Sequence, residues 1–340
     1  MHFRIALPTP FTVGTINAFA VKDGTGLVLI DAGPDTDEAW TLLLDFLASH
    51  GYQPSDIHAV LLTHGHEDHA GLAHRLRASY GTPVFAHAQE IPQLSPDGRQ
   101  REISSRLLHQ LLIQHGAPRS IVEYKDPRRE NAPREGWRTE IDHPVEDGEQ
   151  LSFVDARLAV LHTPGHTAGS TCYYHEASGT LFTGDHLIKG VIPNPGIEFP
   201  DGSLEGRTRS LPAYAASLEK VRALPVALVC PGHREEFADH RAEIDRLFRY
   251  FERGQKRALR LTDKGRCQAY GLVPPIAGPA HRMELFFFMY RSIGYFDLLE
   301  AQGHVHAETI GGQVYYTAAR NRLKEERRQG GPDEQDANGP

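Results

Sequence analysis

Residues 63–70 read Thr-His-Gly-His-Glu-Asp-His-Ala, which places His64, His66, Asp68 and His69 within six positions. Neutral imidazole and carboxylate are the donors that borderline divalent ions such as zinc accept, and four of them this close exceed what one closed tetrahedral site readily uses. His64 and His66 flank Gly65, so in a tight turn both rings can reach one point, and Asp68 and His69 add a second pair directly after. A histidine near a strand end is ordinarily a surface or capping residue. That reading is kept for His74, His87, His109, His115 and His175, whereas the density around residue 66 asks for chemistry. Three later segments supply donors of the same kind: HTPGHTAGS offers His166, FTGDH offers Asp185 and CPGH offers His233.

The elements that must carry these donors follow a repeated order. A β-rich run, a Gly-containing turn and a second strand ending at Asp31 precede a helical stretch in which Trp40, Leu43, Leu44 and Leu47 fall at helical spacing. A buried strand then runs into the histidine loop, followed by a helix over about residues 70–80 and a strand at TPVFAH. The second half repeats strand, turn, strand ending at Asp185, helix (SLPAYAASLEKVRAL) and a strand ending in the loop of His233. Two β-β-α-β halves suggest an internal duplication, packed as two facing sheets with helices outside, a four-layer αββα sandwich of the α/β class. The donor-bearing ends of both sheets would then share one edge.

This series resembles the metallo-β-lactamase superfamily, whose His-x-His-x-Asp-His hallmark appears as His64 to His69; the resemblance covers about residues 12–240. It implies that His64, His66 and His166 hold a first metal, that Asp68, His69 and His233 hold a second, and that Asp185 bridges the two. His162 and His186 adjoin the motifs without being ligands in the family pattern, and Glu67, at the variable position, points away. Zinc is the expected ion, with iron and manganese compatible with the same donors. Two ions would activate a bridging hydroxide, oriented by Asp68 as the catalytic carboxylate, for hydrolysis without a protein nucleophile. Asp185 stands where true β-lactamases of the superfamily usually carry cysteine, and TPGHTAGS with LFTGD is closer to glyoxalase-II-like hydrolases. A small ester, thioester or lactone is therefore the expected substrate. Lys189, Arg207 and Arg209, downstream of Asp185, are candidate substrate contacts.

The remaining chain sets the context. No apolar run approaches the ~18 residues needed to cross a bilayer, no leader-like segment is evident, and three scattered cysteines (Cys172, Cys230, Cys267) argue against a disulfide framework. A cytoplasmic protein without membrane attachment is expected. Residues 88–140 look like a helical insertion or lid, with nine basic and eight acidic residues and one helix at SSRLLHQLLIQHG. Residues 1–240 carry 20 Lys and Arg against 31 Asp and Glu, which disfavours a nucleic-acid surface there, whereas residues 241–319 carry 11 against 8. That second region, helices followed by a Gly-Gly hairpin, resembles a winged helix. Its basic run Arg253 to Arg266 leaves a nuclease or nucleic-acid-binding role as the alternative, and a homodimer is a further use for such an element. Residues 320–340 read as a disordered tail.

Overall fold

The first strand buries one face only, whereas the apolar runs of the next two strands are buried on both faces. The computed structural model of the chain describes residues 1–10, 14–123, 138–275 and 282–319. Its first half runs β1 (His2–Pro8), β2 (Thr15–Asp23), β3 (Gly26–Ile30), α1 (Asp37–Ser49), β4 (Ile57–Leu61), α2 (Glu67–Ala70), α3 (Ala73–Tyr80), β5 (Val84–His87), α4 (Ile91–Leu94), α5 (Arg99–Gln114), α6 (Arg119–Val122) and β6 (His143–Val145). There follow β7 (Gln150–Ser152), β8 (Arg157–His162), β9 (Thr171–His175), β10 (Thr180–Gly184), α7 (Ser210–Arg222), β11 (Leu228–Pro231), α8 (His240–Thr262), α9 (Arg282–Ala301), β12 (Val305–Ile310) and β13 (Gln313–Ala318).

Six strands form one sheet in the order β1-β2-β3-β4-β5-β6, and five form a second in the order β11-β10-β9-β8-β7. The duplication read from the sequence is visible in the pairing. Strand β2 is antiparallel to β3, which is parallel to β4; β9 is likewise antiparallel to β10, which is parallel to β11. Because side chains alternate along a strand, the central strands β2, β3 and β4 of the first sheet each contribute to two cores. Leu27 and Leu29 of β3 pack with Leu43 and Leu47 of α1 and Leu76 of α3 on the helix side. Val28 and Ile30 face the other sheet, meeting Leu158, Val160, Tyr173 and Phe182. Each fully buried aliphatic side chain contributes about 1.5–3 kcal/mol. The Thr36 cap on α1, whose hydroxyl accepts from the Ala39 N–H at 3.1 Å, adds only about 1 kcal/mol. Packing, not capping, therefore holds the helix against the sheet.

In the second half, α7 buries Leu211, Tyr214, Leu218 and Val221 on one side. It is fastened where β8 ends: the Ser217 hydroxyl donates to the Pro164 carbonyl at 2.8 Å, and the Lys220 ammonium donates to that of His162 at 3.1 Å. A polar tie joins the two sheets. Asp23, at the end of β2 and fully buried, accepts from the backbone N–H of Asp155 (2.7 Å) and Ala156 (2.9 Å), directly before β8, and from the His58 ring at 2.7 Å.

Among the described residues, the chain divides into two compact units. One takes in residues up to Leu108 and from Arg138 to Arg249; the other takes in His109 to Glu123 and the residues from Tyr250 onward. The sequence reading sets its boundary at residue 240, where α8 begins, and the division into units falls within that 23-residue helix, after Arg249. The expected single lid over 88–140 is likewise shared between the units, and its helix begins at Arg99, not Ser104. The part of that segment at 124–137 and the tail at 320–340 lie outside the described residues.

In the second unit, α9 buries Leu285, Phe286, Met289, Ile293, Phe296 and Leu299, spaced three and four apart. Strands β12 and β13 form a hairpin turning at Gly311 and Gly312, both left-handed, and Cys267 bridges Tyr316 through paired backbone hydrogen bonds of 3.0 and 2.8 Å. Phe296 stacks on Tyr316 with centroids 3.9 Å apart. Arg253, Lys256, Arg257 and Arg260 lie on the exposed face of α8. No helix among the described residues is long and apolar enough to cross a membrane.

Replacing Asp23 with alanine leaves the buried N–H of Ala156 without its acceptor. The expected loss is roughly 1–3 kcal/mol of stability, read as a lower Tm; an unchanged melting curve would refute the tie between the sheets.

Candidate metal centre

All seven donors lie just beyond strand ends. His64 and His66 follow β4, with His66 at the N-terminal boundary of α2 and Asp68 and His69 in that helix; His166 follows β8, Asp185 follows β10 and His233 follows β11. The fold brings them into three overlapping groups, each with donor atoms within 4.8 Å of one another: His64, His66 and His166; His64, His69 and Asp185; Asp68, His69 and His233. In the first, the Nδ1 of His66 stands 3.0 Å from Nε2 of His64 and 3.1 Å from Nε2 of His166. In the last, Nε2 of His233 is 3.4 Å from Asp68 Oδ2. Asp185 joins them, with Oδ2 3.5 Å from His166 Nε2 and Oδ1 3.4 and 3.5 Å from Nε2 of His69 and His233.

The far side of each ring shows why these nitrogens face inward. His69 Nδ1–H donates to Asp31 Oδ2 at 2.8 Å, His166 Nδ1–H to the Asn194 carbonyl at 3.0 Å and His233 Nδ1–H to the Thr15 carbonyl at 2.8 Å. His64 Nδ1 lies 3.1 Å from the Thr63 hydroxyl, which itself donates to Asp31 at 2.8 Å. Such outward bonds select the tautomer and leave Nε2 as the inward electron pair. His66 alone presents Nδ1. Asp31 accepts a third bond from the Thr63 N–H at 2.8 Å and adopts a left-handed backbone, φ 56°, a conformation that costs a non-glycine residue about 1–3 kcal/mol. Its hydrogen bonds hold it there.

The electrostatics call for a cation. Burial and the neighbouring rings of His69, His66 and His166 push His64 well below the usual imidazole range, and burial with His166 takes His66 down to about 4. Burial opposes ionisation of Asp68 and Asp185, but His69 and other imidazoles beside them outweigh it, taking Asp68 down to about 2 and Asp185 well below its usual range. His69, although buried, is pushed far up by Asp31, Asp68 and Asp185. The carboxylates thus favour positive charge at this point, which a divalent ion would supply. His69 Nε2, Asp185 Oδ1 and His233 Nε2 are buried without a hydrogen-bond partner. Buried polar atoms left unpaired are costly, and a divalent ion accepting their electron pairs removes that cost. The donor set fits the metals that the motif implies.

Sequence reading missed Glu90, which lies in no metal motif. It is buried between the two loops that deliver the first three histidines. Its Oε2 accepts from the Gly65 N–H at 2.7 Å, and its Oε1 accepts from the Thr167 hydroxyl at 2.6 Å and the Gly169 N–H at 2.9 Å. A Cβ at Gly65 or Gly169 would stand 2.8 or 2.7 Å from those oxygens, so both positions need glycine to let the carboxylate approach. Glu198 lies nearby, accepting from the Ala168 N–H at 2.9 Å; burial and the charge of Glu90 push it up to about 8. Only the strand-helix boundary before Glu90 hinted at a role, since its partners lie 25 and 77–79 residues away.

The other singled-out residues sit outside the three groups. His162 donates to the Ala168 carbonyl (2.8 Å) and stacks on His87 with centroids 3.9 Å apart. His186 is buried edge-on to Tyr214, and burial lowers it to about 3. Glu67 is half-buried. Lys189 is exposed four residues past Asp185, Arg207 donates to the Thr208 carbonyl at 3.3 Å, and Arg209 is exposed where α7 begins.

The family model described as the metallo-beta-lactamase superfamily matches residues 11–233. The probable metallo-hydrolase YqjP of Bacillus subtilis is 30% identical over 92% of this chain and 96% of its own length. A more distant relative, the hydroxyacylglutathione hydrolase of Fuscovulum blasticum, is 26% identical over 63% of each chain. The crystal structure of a metallo-beta-lactamase family protein from Thermus thermophilus superposes with a TM-score of 0.74 at 26% identity, covering 93% of this chain and 98% of that one.

Replacing Glu90 with glutamine is expected to weaken metal binding roughly 10–100-fold and to lower Tm, because an amide offers poorer acceptors and brings donors toward N–H groups. Unchanged metal affinity in competition with a chelator would remove Glu90 from the centre. Glu198 is ionised in the unfolded chain above about 4.5 but protonated in the fold up to about 8. Stability should therefore fall as pH rises through that window, and Glu198→Gln should flatten the slope; an identical profile in the variant would contradict the assignment.

Proposed function

The chain belongs to the metallo-beta-lactamase superfamily, and on that premise we propose that it is a dinuclear metal-dependent hydrolase of a small ester, thioester or lactone. The observation that carries the reading is the Asp185 carboxylate, with one oxygen toward the His64, His66, His166 group and the other toward Asp68, His69 and His233. His64, His66 and His166 would hold one ion, Asp68, His69 and His233 the other, and Asp185 would serve both. Two ions so placed lower the pKa of a water held between them and polarise the oxygen of an incoming carbonyl.

The chain's own groups do the rest. The outward bonds of His69, His166 and His233 keep their ring planes fixed, so the centre needs no rearrangement when substrate arrives. Asp68, ionised and only partly buried, is the carboxylate placed to orient water there. The donors are all nitrogen and oxygen, which suits zinc, iron and manganese alike; zinc is our first assignment. A relative named for hydrolysing hydroxyacylglutathione supports an acyl substrate. Lys189, with Arg207 and Arg209, is proposed to meet the acid end of such a molecule. Three free thiols fit a reducing, cytoplasmic setting.

A second reading rests on the exposed cationic face of α8, Arg253, Lys256, Arg257 and Arg260, which would meet a nucleic-acid backbone if the second unit acts as a winged helix. Charge reversal at Arg257 and Arg260 should then abolish a salt-sensitive RNA or DNA affinity.

Protein loaded with zinc, iron or manganese, assayed against thioesters, lactones, carboxylic esters and phosphodiesters, separates the readings. Turnover of an acyl substrate should fall roughly a hundredfold or more in His64→Ala and Asp185→Asn and disappear on chelation. Turnover that survives those changes, or turnover of phosphodiesters alone, would overturn the acyl-hydrolase proposal.

A further inference from the structure

A second cluster of metal-binding donors lies away from the seven. His2 Nε2, Cys230 Sγ and Glu236 Oε1 converge, with His2 Nε2 3.0 Å from Glu236 Oε1 and 3.5 Å from Cys230 Sγ, and Cys230 Sγ 3.4 Å from Glu236 Oε1. Zinc bonds of about 2.3 Å to sulfur and about 2.0–2.1 Å to nitrogen or oxygen, at tetrahedral angles, place their ligand atoms roughly 3.3–3.6 Å apart. The three separations match that triangle, with the His2–Glu236 edge slightly short. Cys230 and Glu236 address the same nitrogen of His2. A catalytic thiol–imidazole–carboxylate relay uses opposite ring nitrogens, so the geometry is that of donors around a point.

The trio's position matters. His2 lies on β1, the edge of the six-stranded sheet, and Cys230 lies on β11, the edge of the five-stranded one. Cys230 and Glu236 stand three residues to either side of His233. Asn17 of β2 already joins these edges, donating to the carbonyls of Pro231 (3.0 Å) and Arg234 (2.6 Å), and Arg4 pairs with Glu235. The His2 ring packs edge-on against Phe19 and Phe182, which exclude water from one side. His2 also lines a cleft of about 290 Å³, together with Val21, His175, Ser178, Thr180 and Phe182.

We propose that His2, Cys230 and Glu236 form a third cation site for a thiophilic divalent ion such as zinc, one that staples the two sheet edges and fixes the loop carrying His233. Three protein donors leave the fourth position to water from the cleft. Binding releases the Cys230 thiol proton to solvent, and the thiolate, imidazole and carboxylate neutralise the ion. The proposal does not depend on which substrate the seven-donor centre acts upon.

Cobalt(II) distinguishes this site, because the seven donors contain no sulfur and a thiolate-to-cobalt charge-transfer band in the near ultraviolet can arise only from a cysteine. The full chain, prepared without an N-terminal extension and loaded with cobalt, should show that band and bind three equivalents. Cys230→Ser and His2→Ala should lose the band and one equivalent; Cys172→Ser, Cys267→Ser and His64→Ala should keep the band. Absence of the band from the unmutated chain, or its survival in Cys230→Ser, would overturn the site. The readout is spectral, so it stands or falls apart from any loss of hydrolase activity.

Discussion

Five imidazoles and two carboxylates gathered at one point resist folding unless each ring is held from behind. That constraint organises the molecule. Asp31 binds His69 and, through Thr63, the ring of His64; backbone carbonyls of Asn194 and Thr15 bind His166 and His233. These partners come from strand ends and the segments that follow them, so the outward bonds exist only when the sheets are assembled in register. The apolar layers beneath provide the rigidity: helices cover one face of the first sheet while its other face packs on the second.

The duplicated topology gives that assembly its economy of parts. Each half carries an antiparallel pair followed by a parallel strand, and each ends its strands in donors. Facing the halves turns two incomplete sets into one centre. Asp185, from the second half, lies against His69 of the first and against His166 and His233 of its own. Neither half gathers the seven residues alone, because Asp185 of the second half stands beside His69 of the first.

Glu90 shows a different order of dependence. A carboxylate buried among N–H and hydroxyl groups is tolerable when its lone pairs are filled, and Gly65, Thr167 and Gly169 fill them. It thereby clamps the His64–His66 turn to the His166 loop. With Glu198 close by, the region holds more negative charge than burial tolerates, and a proton on Glu198 relieves it.

Local chemistry made much of this legible. The spacing of His64, His66, Asp68 and His69, the glycine-bounded loops of His166 and His233 and the strand-ending Asp185 marked the residues that the fold gathers, because metal-binding residue types in tight turns are informative even without a partner. Alternating apolar residues identified the strands that carry them. Residue identity and periodicity are local properties, and one chain displays them. What only the tertiary structure decided were the contacts between distant segments: which nitrogen each ring turns inward, the buried clamp of Glu90, and the meeting of His2 with Cys230 and Glu236. Those depend on sheet register and on which loops come to share a volume. Donors separated by up to 234 residues carry no mark of one another until the fold brings them within bonding distance.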